Sequence, residues 1–140
     1  MITVIVAIVG ALGLAAIAGW LLIRKSGEVR ATKTGSVAAP DLDCGEFGLS
    51  HTGPTIVHFS AAWCGQCTRV RRVVQQVCDD LDDVGHVEVD LDANPGAVQK
   101  FSVLSLPVTL IFDAQGRQRY RTAGVPKAAD LRSALAPLLA

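Results

Sequence analysis

Two cysteines separated by two residues, Cys64 and Cys67 in Trp63-Cys64-Gly65-Gln66-Cys67, carry the most distinctive chemistry in this chain. The thiolate is a nucleophile, and a second thiol within reach can displace whatever the first has captured. The apolar run Thr55-Ile56-Val57-His58-Phe59 comes before the pair, and a helical pattern begins at Thr68. The pair therefore sits where a strand turns into a helix, with Cys64 near the helix N-terminus. Unpaired backbone N–H groups and the helix dipole favour negative charge there. A thiol so placed is expected to titrate at roughly 3.5–7.5 rather than about 8.5. Cys67 follows one turn along the same face. In a βαβ setting, Cys-x-x-Cys reads as a redox motif with a nucleophile and a resolving thiol.

The elements around the pair fit that setting. Val87 to Asp92 reads as a strand leading into Asn94-Pro95, an N-cap followed by proline at the first helical position. Ser105-Leu106-Pro107-Val108-Thr109 places a proline directly before the nearly continuous apolar strand Val108 to Phe112, as expected in the middle of a sheet. Asp113-Ala114-Gln115-Gly116 reads as a hairpin turn, Arg117 to Thr122 alternates like an edge strand, and Ala128 to Leu139 closes as an amphipathic helix. After the cysteines, Val70, Val73, Val74, Val77 and Leu81 make one apolar helix face, while Arg69, Arg71, Arg72, Gln75 and Gln76 lie away from it.

This succession, from about Thr55 to Leu139, resembles the thioredoxin family, and Trp63-Cys64-Gly65-x-Cys67 with Pro107 are its most specific parts. The resemblance implies an α/β fold with a central mixed sheet flanked by helices. It also implies a cis Leu106–Pro107 bond facing the cysteines, and a substrate-docking surface made of Trp63, Gly65, Gln66, Leu106 and Pro107. Two departures touch the chemistry. Gln66 stands where the family often has proline. His58 and Glu88 stand where it usually has a buried Asp and a Lys, so the acid–base pair is exchanged between strands. A buried His58–Glu88 pair under the cysteines is a candidate to relay the proton of Cys67; the alternative is a hydrogen-bonded core histidine with no kinetic role.

Ile2 to Ile23 is a run of 22 residues without a charge, about 33 Å as a helix and enough to cross a bilayer. A cleaved signal peptide would want a basic segment before the apolar run, and none precedes it, so the run is read as an anchor. Arg24, Lys25, Arg30 and Lys33 follow it, which by the positive-inside rule orients the rest of the chain toward the cytoplasm. The opposite placement, outside the inner membrane, is the alternative. Ala7, Ala11, Ala15 and Gly19 form a small-residue stripe compatible with a weak homodimer through the anchor. The expected organisation is an anchor over 1–23, a linker and reduced first β/α unit over 24–54, and a thioredoxin-like domain over 55–140. Within the linker, Glu28 to Thr34 suits a short edge strand.

Thirteen basic and thirteen acidic residues balance, which gives no case for nucleic-acid binding. Four cysteines raise the question of zinc. On one helix Cys67 and Cys78 are about 16 Å apart in rise, and a Cys₄ site needs every sulfur at about 2.3 Å from one point. Structural zinc is rejected and Cys78 is read as a small hydrophobe, while Cys44, a candidate modifiable thiol in the irregular segment, is left undecided. No motif calls for a metal, flavin or nucleotide cofactor. The resulting expectation is a membrane-anchored thiol–disulfide oxidoreductase, acting on disulfide-containing proteins and fed by another reductant protein. The rival is a redox-inactive thioredoxin-fold scaffold tethered to the membrane.

Overall fold

The computed structural model describes residues 1–24, 28–31 and 47–140. The chain opens with α1 (Ile2–Arg24). Its segment Ile2–Leu22 has a mean hydropathy of 2.5 and no side chain buried against the rest of the protein, so it is long and apolar enough to cross a membrane.

Among the described residues five strands follow in one mixed sheet: β1 (Arg30–Ala31), β2 (Thr55–Ser60), β3 (Gly85–Asp90), β4 (Val108–Phe112) and β5 (Gln118–Ala123), in the order β1-β5-β4-β2-β3. β2 runs parallel to β3 and antiparallel to β4, and β4 is antiparallel to β5. β2 and β4 read as apolar runs because both of their faces are covered, and every residue in both strands is buried. The alternation in β5 suggested an edge, but β1 pairs along it at Arg121 and Tyr120. A two-residue strand in a segment with no periodicity leaves almost no mark in sequence. Of the span expected to be an edge strand, Arg30–Ala31 forms one, and Thr32 to Thr34 lie outside the described residues.

Helices cover both faces of the sheet. α2 (Cys67–Asp80) and α4 (Ala128–Leu139) bury Val70, Val74, Val77, Leu131, Ala134 and Leu135 against Ile56 and Ile111. Full burial of such side chains is worth roughly 1.5–3 kcal/mol each, so this valine stripe is what fixes α2 on the sheet. Cys78 is half-buried at the margin of the same cluster, and burial, then the neighbouring Asp79, pushes its thiol up. On the opposite face α3 (Pro95–Lys100) packs with Phe101 against Phe59 and Phe112. Phe47 and Leu49 join this cluster, Phe47 edge-on to Phe101 at 5.3 Å. Asn94 does stand at the N-cap of α3, but its side chain does not cap; it donates to the carbonyl of Asp90 instead. The Asp113–Gly116 turn is closed by the Asp113 carboxylate. It accepts from the backbone of Gln115 and Arg117 and from the guanidinium groups of Arg117 and Arg119.

Candidate active site

The parallel strands β2 and β3 both end on the side of the sheet where the chain turns into α2, and the cysteines lie in that turn. Ser60 ends β2, the Cys64 N–H donates to the Ala61 carbonyl, and the Cys67 N–H donates to the Cys64 carbonyl as α2 begins. Gln66 occupies the N-cap without a side-chain cap bond, so Cys64 stands two residues before it, in the positive field of the helix end. Cys64 and Cys67 form a disulfide, with Cα atoms 5.5 Å apart.

The two sulfurs have different surroundings. Cys64 is partly exposed and reachable, whereas Cys67 is 3% exposed. The sulfur of Cys67 lies 3.7 Å from the Phe59 carbonyl oxygen. Once the disulfide is reduced, that carbonyl is an acceptor for the Cys67 S–H and favours the neutral thiol. An accessible sulfur at a helix N-terminus beside a buried one near a carbonyl is the asymmetry that an attacking and a resolving thiol require.

The residues flanking Cys64 in the chain are exposed. Trp63 is 73% exposed, Gly65 and Gln66 are also exposed, and Leu104 is 94% exposed on the loop before β4. The Leu106–Pro107 bond is cis. Val108 is registered against Phe59, so Pro107 comes level with the end of β2, where the cysteine turn starts.

Below the cysteines, on the α2 side of the sheet, lies a line of polar groups. His58 and Glu88 are direct register partners across β2 and β3. His58 is wholly buried, and its Nε2 lies 3.5 Å from a Glu88 carboxylate oxygen. Two further residues belong to the group and were not singled out from sequence. His86 places its Nε2 2.9 Å from His58 Nδ1, with the two rings stacked at 5.0 Å. Arg71 grips Glu88 with two hydrogen bonds, at 2.8 and 2.5 Å. The signals were present: His86 is two residues before Glu88 and so on the same strand face, and Arg71 is one turn beyond Cys67.

Charge settles what the cluster is. Burial pushes the His58 imidazole down to about 4, against the opposing pull of Glu88. His86 is also lowered, chiefly by burial. The Arg71 hydrogen bonds hold the Glu88 carboxyl at about 2, outweighing its partial burial, with further help from Ser60. At neutral pH Glu88 is therefore ionised and paired with Arg71, and both histidines are neutral. The closeness of His58 to Glu88 is not a salt bridge under those conditions.

A family model described as Thioredoxin matches residues 47–137. Thioredoxin from Mycobacterium tuberculosis is 33% identical over 102 residues, covering 71% of this chain and 87% of that protein. Thioredoxin from Mycolicibacterium smegmatis is 36% identical over 67 residues, covering 46% of this chain and only 60% of that protein's length. Among solved structures, chloroplastic thioredoxin z superposes with a TM-score of 0.56 at 32% identity, covering 62% of this chain and 79% of that one.

Proposed function

The chain belongs to the thioredoxin family, and from that premise we propose that it is a thiol–disulfide oxidoreductase working through Cys64 and Cys67. The observation that carries this reading is the asymmetric pair itself: a reachable Cys64 at the N-terminal end of α2, bonded to a buried Cys67. In the reduced chain the Cys64 thiolate attacks a substrate disulfide. One substrate sulfur leaves as thiolate and the other stays bonded to Cys64. Cys67 then loses its proton and attacks the Cys64 sulfur, releasing the second substrate thiolate and leaving the Cys64–Cys67 disulfide. A separate reductant protein returns two electrons to the pair. Trp63, Gly65, Gln66, Leu106 and Pro107 form the docking surface, and His58 with Glu88 serves the proton of Cys67. The dithiol needs no bound cofactor for this exchange. Residues 55–140 act as the catalytic domain, behind a linker and reduced first β/α unit over 24–54, from which Arg30–Ala31 joins the sheet and Phe47 and Leu49 join the core.

The full-length chain in detergent micelles is expected to accelerate reduction of insulin disulfides by dithiothreitol. A chain that folds but gives no acceleration over dithiothreitol alone would favour the tethered scaffold.

The apolar segment within residues 2–23 supports a membrane anchor, and the basic residues after it support a cytoplasmic domain. In sealed cells a membrane-impermeant thiol reagent is then expected to miss Cys64 and to reach it after permeabilisation. Labelling of Cys64 from outside would reverse the orientation.

A further inference from the structure

We propose that His86 is the solvent-side half of a two-histidine proton relay that serves Cys67 through His58. The proposal rests on the oxidoreductase reading and adds to it a residue and a direction. His86 does not touch the sulfurs; it is a positioning residue that acts through its bond to His58.

The geometry gives the relay a direction. His58 is level with Glu88, whereas His86 is level with Ile56, two residues farther from the cysteine end of the sheet. His58 Nε2 is therefore on the side of Glu88, the partner nearer the cysteine end, and Nδ1 is on the side of His86. Arg71, which holds Glu88, is one turn from Cys67 on the same helix. Nδ1 is engaged at 2.9 Å, while Nε2 is fully buried and has no hydrogen-bond partner.

That orphaned nitrogen decides between tautomers. With hydrogen on Nε2, the protein would bury an N–H donor without a hydrogen bond, at a cost of about 1–3 kcal/mol. With hydrogen on Nδ1, the ring donates to His86 Nε2 and leaves a bare lone pair at Nε2. Glu88 would favour the first arrangement, but its nearer oxygen is 3.5 Å away and makes no hydrogen bond to Nε2, while both oxygens accept from Arg71. The second arrangement leaves a proton acceptor on the Glu88 side of the ring, the side nearer the cysteine end.

The step balances without another reagent. As Cys67 attacks the Cys64 sulfur of a mixed disulfide, its proton passes to His58 Nε2. The Nδ1 proton of His58 moves to His86 Nε2, and the Nδ1 proton of half-buried His86 goes to solvent. The Cys64–Cys67 bond forms, the bond from Cys64 to substrate breaks, and the substrate leaves as thiolate. One proton reaches solvent, and both rings end neutral. The charged and titratable groups facing the pair are Glu88 on β3 and Arg71 on α2. Glu88 favours an imidazolium and Arg71 opposes one, and burial outweighs the pull of Glu88, so the proton is passed on and neither ring keeps a charge.

The test uses the full-length chain in detergent and follows decay of a mixed disulfide formed on the reduced protein. In His86→Gln, the amide can still hydrogen-bond His58 but cannot pass a proton. Decay should slow by about tenfold or more, the lower part of the range for acid–base assistance. Added free imidazole should restore the rate in the variant and leave wild type unchanged, which a purely structural role would not produce. In parallel, nitrogen-15 NMR of the reduced wild-type chain should find His58 protonated on Nδ1 with Nε2 bare, so the test does not depend on the variant folding. A proton fixed on Nε2, an unchanged rate in His86→Gln, or a slowed rate that imidazole does not restore would each overturn the relay alone. A wild-type chain that forms no mixed disulfide would overturn the oxidoreductase reading beneath it.

Discussion

Cys64→Ser is expected to abolish disulfide reduction, and Cys67→Ser to halt it at a covalent adduct. The two losses look alike in a turnover assay and differ in what accumulates. Without the Cys64 sulfur, no nucleophile remains at the N-terminal end of α2, since Cys67 is 3% exposed and cannot meet a protein-sized substrate. With serine at 67, the first attack proceeds and resolution fails, because a hydroxyl does not displace a thiolate under these conditions. Each variant should fall to the uncatalysed rate of dithiothreitol. Cys78→Ser is the control: its half-buried thiol is held protonated by burial and sits at the margin of the α2–α4 cluster. Turnover in that variant should match wild type.

Removing the buried imidazole is the second large effect. In His58→Gln, formation of the mixed disulfide should keep its wild-type rate, while its resolution slows by about 10²–10⁴-fold, the usual worth of a positioned general base. Glu88→Gln should have a smaller effect of the same kind, and the double variant should be non-additive, as contacting residues are. Stability against pH provides a separate check. The His58 pKa falls from 6.5 to about 4 on folding, so between those values the unfolded chain binds a proton that the native one refuses. Native stability is thus whole above pH 6.5 and declines as pH falls toward 4, by at most about 3 kcal/mol from this group. Glu88, lowered from 4.5 to about 2, has its own decline below pH 4.5, leaving the interval from 6.5 to 4.5 to the histidines. His58→Gln should flatten that interval, apart from what His86 contributes. A flattened stability curve with unchanged resolution would make His58 a core residue only.

Much of this was legible in the sequence because the signals were local. The Cys64–Cys67 spacing, the proline before an apolar strand and the valine stripe of α2 are each written within a few residues. The polar line beneath the cysteines was legible only in part. His58 and Glu88 stood out because both depart from the family pattern in strands known to pair. His86 carries no such mark: a histidine next to Val87 in a half-buried strand is ordinary until the register sets it against His58. Arg71 looked like a solvated residue on the outer face of α2, and by exposure it is one; its long side chain nevertheless reaches Glu88. The β1–β5 pairing was hidden for a related reason, since two residues joined across ninety others leave no pattern to read.

The most direct test of the dithiol mechanism is to find which sulfur holds the substrate. The reduced Cys67→Ser chain is incubated with a disulfide substrate, quenched with acid and digested, and the adduct is located by mass spectrometry. The expected result is substrate joined to the peptide containing Cys64, and no such adduct in a parallel Cys64→Ser digest. An adduct on Cys67 in the Cys64→Ser chain, or on Cys78 in either variant, would contradict the assignment of nucleophile and resolving thiol.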